Sequence, residues 1–73
     1  MVRLSDVKCG ACVRIVGLNA TQDICLRLRE LGICEHEDVR KVADNGSMVC
    51  EVKNTRIAIN RAIAEDIVCQ ILP

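Results

Sequence analysis

The chain has 73 residues and contains six cysteines but no Phe, Tyr or Trp. A core this small must therefore be filled by aliphatic side chains and by reduced cysteines, which pack as small hydrophobic residues. The same absence limits recognition, because single-stranded nucleic acids stack on aromatic rings and proline-rich ligands dock in aromatic-lined grooves. We expect the protein to bind partners through aliphatic surface, backbone, charge or sulfur.

The charges of the chain are balanced, with ten basic and ten acidic residues. This balance argues against binding to nucleic acid or to an anionic membrane, and it favours weak homo-oligomerisation. The N-terminus lacks the hydrophobic stretch of a signal peptide, and no apolar run is as long as a membrane span. We expect a single cytoplasmic domain over residues 1–73, with no direct membrane insertion.

The even number of cysteines also fits the disulfide framework of a small secreted protein. Cys50 and Cys69, however, alternate with other apolar residues in strand-like segments, which is typical of free thiols packed in a core. Cys25 falls at the margin of a helix face, so the pattern leaves it open between core and surface. We therefore favour reduced cysteines, as expected in the cytosol.

Alternation of apolar and polar residues predicts five short strands and two tight turns. The turns are Asp44-Asn45-Gly46 and Lys53-Asn54, where Asn and Gly tolerate positive φ. Asn60 can cap a short helical turn before the last strand. These elements predict a mostly antiparallel domain, either α+β or barrel-like. A barrel is favoured because closing the sheet hides its edges. The predicted strands cover residues 13–18, 39–43, 48–53, 55–59 and 67–71.

One longer helix is predicted between the first two strands. Ile24, Leu28 and Leu31 are spaced to lie on one helix face, which indicates packing against the core. Gly32 follows as a left-handed cap. Leu26 points almost opposite that face, so we expect it to be exposed and to contact a partner.

Four segments of the chain together resemble the FeoA family of small cytosolic SH3-like β-barrel proteins tied to bacterial ferrous iron uptake. The two most specific are an R-L-x-x-L-G-[ILM] pattern at the end of the helix and a T-R-[IL]-A-[IL] pattern in the last hairpin. The segments that carry the resemblance are Leu4 with Cys9-Gly10, residues 14–17, residues 27–33 and residues 51–59.

The resemblance implies a mainly β fold: a small SH3-like five-stranded barrel with one inserted α-helix and a short helical turn before the last strand. It also implies an accessory or regulatory role in ferrous iron uptake, through protein–protein interaction with the cytosolic part of the membrane transporter FeoB. No catalytic motif is found, which agrees with a protein that is not an enzyme. We expect the partner surface to comprise Leu26, Arg29, Leu31, Gly32 and Ile33.

The alternative function is a metal-binding sensor or delivery module. Cys9 and Cys12 have the spacing of one half of a structural zinc site, and Cys34 with His36 could complete it for zinc or ferrous iron. The simpler interpretation is that Cys9 replaces a proline of the Pro-Gly turn that the family usually carries, and that Cys12 merely begins a strand. Glu35-His36 replaces the family's second Pro-Gly pair.

Overall fold

The structure is a computed structural model that describes residues 1–73. All five predicted strands are present, together with an additional two-residue strand at the N-terminus. Both predicted helical segments are present as well, so the mainly β fold is confirmed. The elements in chain order are β1 (Val2–Arg3), a 3-10 turn (Leu4–Asp6), β2 (Cys12–Leu18), α1 (Gln22–Glu30), β3 (Asp38–Asn45), β4 (Ser47–Val52), β5 (Thr55–Ile59), α2 (Arg61–Glu65) and β6 (Ile67–Ile71).

The strands form one antiparallel sheet in the order β1-β6-β2-β3-β4-β5. The edge strands are therefore β1 and β5. The 3-10 turn follows β1 and α2 follows β5, and these two short elements contact each other. Their contact connects the two ends of the sheet. The result is a small barrel-like domain with α1 inserted between β2 and β3.

A single cluster of fifteen buried residues fills the barrel, and it contains only aliphatic residues, one methionine and two cysteines. Those cysteines are Cys50 and Cys69, so the prediction that both pack in the core is confirmed. Burial raises the pKa of the Cys50 thiol to about 11, which keeps it protonated. Cys25 is buried too, and its thiol donates to the carbonyl oxygens of Ala20 at 3.5 Å and Leu18 at 3.7 Å. All six cysteines are free thiols.

Both predicted turns connect paired strands. Val52 pairs with Thr55 across Lys53 and Asn54, whose φ angles are 49° and 66°. Positive φ at both central residues defines the hairpin turn that matches the twist of the strands, and asparagine adopts it more readily than other non-glycine residues. Asn60 caps α2 as expected, because its Oδ1 accepts a hydrogen bond from the Ile63 N–H at 2.8 Å.

The end of α1 is fixed by its backbone. Gly32 has a φ of 98°, its N–H donates to the Arg29 carbonyl at 3.0 Å, and the Ile33 N–H donates to the Leu28 carbonyl at 2.8 Å. This pair of hydrogen bonds is the Schellman arrangement, in which a glycine supplies the left-handed residue. Leu28 and Ile33 are both buried, which adds the apolar contact that accompanies the motif.

One charged side chain lies inside the barrel. Lys41 is only 1% exposed. Its Nζ donates to three carbonyl oxygens of the N-terminal segment, those of Val7 at 2.6 Å, Ser5 at 3.2 Å and Leu4 at 3.4 Å. It also lies 3.0 Å from Asp44 Oδ2. Lys41 thus joins β3 to the N-terminal segment, and the sequence pattern does not predict this contact.

Candidate protein-binding surface

The outer face of α1 carries one exposed leucine beside a charged pair. Leu26 is 51% exposed, as its helix phase predicts. Arg29 follows it by three residues and therefore lies on the same side of the helix. The Arg29 guanidinium donates to Glu35 Oε2 at 3.1 Å, and this hydrogen bond lowers the pKa of the Glu35 carboxyl. The outer face thus presents an aliphatic side chain next to an oriented ion pair.

Leu31 lies on a different side of the molecule from Leu26. Leu31 follows Leu26 by five positions, which on a helix corresponds to a rotation of about 140°. The periodicity predicts that Leu31 packs mainly in the core, yet it is 50% exposed. Leu31 is the C-cap of α1, directly after its last helical residue, Glu30.

Leu31 instead lines a groove with a volume of about 240 Å³ between α1, β5 and α2. Most of the groove is apolar, and the half-buried side chains of Ile24 and Ile63 contribute to it. A single cationic side chain lines it, and no acidic one does. The residues of the groove are Ile24, Arg27, Leu28, Leu31, Ala58, Ile59, Asn60 and Ile63.

Two residues of the expected partner surface are occupied by the fold itself. Ile33 is 0% exposed and belongs to the core, so the prediction that it forms part of the partner surface is wrong. Gly32 is partly buried and serves as the left-handed cap. The expected surface is therefore divided between Leu26 with Arg29 on the outer face of α1 and Leu31 in the groove.

The charged side chains near the last hairpin mostly pair with one another. Glu51 Oε1 accepts from Arg40 at 3.0 Å, and its Oε2 lies 3.7 Å from Arg56 Nε. The pair between Arg56 and Glu51 is the cross-strand contact that their predicted register implies. Arg27 differs, because it makes no ion pair with any carboxylate of the chain.

The four expected metal ligands lie at two separate places, one beside the start of β2 and one beside its middle. Cys12 begins β2 opposite Arg40, whereas the His36 N–H donates to the Ile15 carbonyl at 2.9 Å. Three residues of strand, or about 10 Å, lie between these two positions. Cys9 lies beyond Cys12, in the turn that precedes β2.

The structure therefore does not assemble one site from Cys9, Cys12, Cys34 and His36. No group of three or more His, Cys, Asp or Glu side chains is arranged to hold a metal ion. His36 has a φ of 74°, so it takes the left-handed position that a glycine occupies in a Pro-Gly turn. Cys34 is partly buried, with its thiol 3.9 Å from the Gly32 carbonyl oxygen.

The β5 and α2 side of the groove could not be found from sequence patterns. Ala58, Ile59 and Ile63 come from two elements that meet α1 only after the chain has folded. Ile63 lies in a helix of five residues, which is too short to show a periodic apolar face. An unpaired arginine on a helix is usually solvated, so Arg27 gives no signal on its own.

The sequence as a whole matches a known family. The family model described as the FeoA domain matches residues 2–71. The chain belongs to the FeoA family. The family is associated with ferrous iron transport, and its fold agrees with the barrel described above. No curated protein matches the chain by sequence.

Solved FeoA structures show the same fold. FeoA of Stenotrophomonas maltophilia, determined with zinc and described as an SH3 domain protein, is 27% identical over 96% of this chain and 91% of its own, with a TM-score of 0.84. An iron uptake regulatory FeoA is 20% identical over 97% and 96%, with a TM-score of 0.90. FeoA of Chlorobium tepidum is 21% identical over 99% and 71%, with a TM-score of 0.89. The SH3-like fold is therefore confirmed.

Neither helix of the structure has the length and apolar character that crossing a membrane requires.

Proposed function

We propose that this protein is a cytosolic accessory protein of bacterial ferrous iron uptake and that it acts by binding the cytosolic part of the membrane transporter FeoB. The observation that carries the proposal is the FeoA domain match over residues 2–71. The role is one of binding rather than catalysis.

The outer face of α1 is the surface that we assign to this interaction. Leu26 is an exposed aliphatic side chain at the centre of this face. In most interfaces a few centrally placed side chains supply most of the binding energy. Arg29 and Glu35 flank it as an ion pair, and charges at the rim of an interface orient the partner more than they add affinity. Because the chain has no aromatic residues, a leucine is the largest apolar anchor that it can offer here.

The test is the substitution Leu26→Asp. It places a charge at the centre of the proposed interface, and we expect the affinity for the purified cytosolic part of FeoB to fall by at least about tenfold, or ~1.4 kcal/mol. Ferrous iron uptake should fall in parallel when the variant replaces the wild type in cells. The fold should be retained, because Leu26 contacts solvent on the side of α1 that faces away from the core.

The matched control is Ile71→Asp, since Ile71 is a similarly exposed aliphatic residue but lies on β6, away from α1. It should bind and support uptake as the wild type does. Wild-type binding by folded Leu26→Asp would remove this face from consideration. If the wild type itself fails to bind the cytosolic part of FeoB, the proposed partner is wrong.

A further inference from the structure

One edge of the sheet is left without a partner. β5 pairs only with β4, and the two-residue turn makes Val52 and Thr55 the hydrogen-bonded pair that closes the hairpin. Hydrogen-bonded and non-hydrogen-bonded pairs alternate along an antiparallel ladder. Arg56 and Ala58 therefore fall in non-hydrogen-bonded pairs, and their N–H and C=O groups point away from β4.

These edge groups find no partner elsewhere in the chain. No backbone hydrogen bond outside the helices and strands involves Arg56 or Ala58. α1 cannot supply one, because the peptide groups of a helix bond to one another along its own axis. A free edge of this kind is a template for another extended chain.

The free edge borders the apolar groove. Ala58 and Ile59 belong to β5 and line the groove, and Leu31 and Ile63 face them from α1 and α2. A strand added to β5 would therefore place its side chains beside Leu31, which is half exposed. Main-chain pairing and burial of alternate apolar side chains would act together in such a complex.

The charged side chains beside the groove indicate which kind of partner segment it binds. Arg27 lines the groove without an ion-pair partner, Arg56 lies on the edge strand, and no acidic side chain lines the groove. A second copy paired through β5 would bring Arg56 of each chain close to the other, and like charges across strands destabilise pairing. A segment that carries a carboxylate would complement Arg27 instead.

We propose that β5 and the groove beside it bind an extended segment of a partner protein, which adds a strand to β5, places apolar side chains against Leu31 and Ile63, and sets a carboxylate on Arg27. This surface is separate from Leu26 on the outer face of α1. The proposal for this surface is therefore tested independently of the proposed function.

The probe is a phage-displayed library of random peptides of about ten residues, the length of a long strand. Selection on the wild-type protein should yield sequences in which apolar residues alternate with polar ones and at least one Asp or Glu is present. A selected peptide is then synthesised and titrated into labelled protein. The amide signals of Arg56 and Ala58 should shift, and contacts between the peptide backbone and β5 should appear in nuclear Overhauser spectra.

Two pairs of variants test the parts of the site. Ala58→Pro removes only the N–H at the free edge and leaves the ladder with β4 intact, which is the position where an edge strand tolerates proline. It should weaken peptide binding by about tenfold or more, whereas Ala58→Thr, which keeps the N–H, should not. Arg27→Glu should weaken binding similarly and Arg27→Lys much less, because the lysine keeps the charge.

Several outcomes would overturn the proposal. They are a selected peptide that binds as a helix, selected sequences without acidic residues, equal binding by folded Ala58→Pro, and dimerisation of the chain through β5. If Ala58→Pro does not fold, the comparison of Arg27→Glu with Arg27→Lys and the spectra of the wild-type protein still test the proposal. Leu26→Asp should bind the peptide normally, which distinguishes this site from the interface proposed for FeoB.

Discussion

Replacing Lys41 with methionine tests how the N-terminal segment is held. The methionine keeps the apolar stem of the side chain and removes the ammonium group. The carbonyl oxygens of Ser5 and Val7 then lose their hydrogen bonds from Nζ, whereas the Leu4 carbonyl keeps the one from the Val7 N–H at 3.2 Å. Asp44 keeps its contact with Arg61.

The magnitude follows from these contacts. A buried acceptor left without a hydrogen bond costs about 1–3 kcal/mol, which applies in full to the Val7 carbonyl oxygen. The Ser5 carbonyl oxygen is only partly buried and costs less, because water can replace the lost donor. Removing the buried ammonium group offsets part of the total, because its desolvation no longer opposes folding. We expect Lys41→Met to lower the free energy of unfolding by about 2 kcal/mol. For a domain of this size that corresponds to a fall of about 8–16 °C in Tm.

Urea unfolding followed by circular dichroism measures the change directly. The matched control is Lys53→Met, because the Lys53 side chain is 77% exposed and its contact with Glu37 lies on the surface. Its effect should stay within about 0.5 kcal/mol. A loss below about 1 kcal/mol for Lys41→Met, or a gain in stability, would refute the argument that the carbonyl oxygens depend on Nζ.

The remaining predictions concern pH and metal. Hydrogen bonding by Lys41 lowers the pKa of Asp44 below its ordinary value of 3.8, so this carboxylate contributes stability that is present above that value and is lost as the pH falls through the lowered pKa. Asp44→Asn should make the acid limb of stability shallower, measured by thermal unfolding across pH, while Glu35, Asp38 and Glu51 retain their contributions. An unchanged limb would contradict the assignment. Zinc titration of the reduced protein should give the same affinity after Cys34→Ala and His36→Ala are combined, because Cys9 and Cys12 lie at the other place, beside the start of β2. A loss of about tenfold would show that the four residues share one ion.

Local signals account for what the sequence predicts well. The turn at Asp44-Asn45-Gly46, the turn at Lys53-Asn54 and the cap at Asn60 each depend on the residues of a few adjacent positions. Strand alternation places Cys50 and Cys69 inside for the same reason. These predictions are confirmed because neighbouring residues alone determine the turns, the cap and the strand alternation.

Distant contacts account for what the sequence does not predict. Lysine is almost never fully buried unless it is paired, and the partners of Lys41 lie 34 to 37 residues away in the chain. Leu31 fits the periodicity of the core face, yet it is half exposed and lines a groove formed with β5 and α2. The sequence suggests that Cys12 and His36 share one site, but the register of β2 with its neighbours places them about three strand residues apart. Each error is one of tertiary position and not of local structure.

The absence of aromatic rings also has an optical consequence. Without tyrosine or tryptophan, the folded chain has almost no near-ultraviolet absorption and no fluorescence of its own. A single Leu31→Trp substitution would therefore create the sole emitter in the molecule, at the wall of the groove. Its emission would shift to the blue whenever a ligand expels water from that wall. No other residue of the chain would contribute to the fluorescence signal.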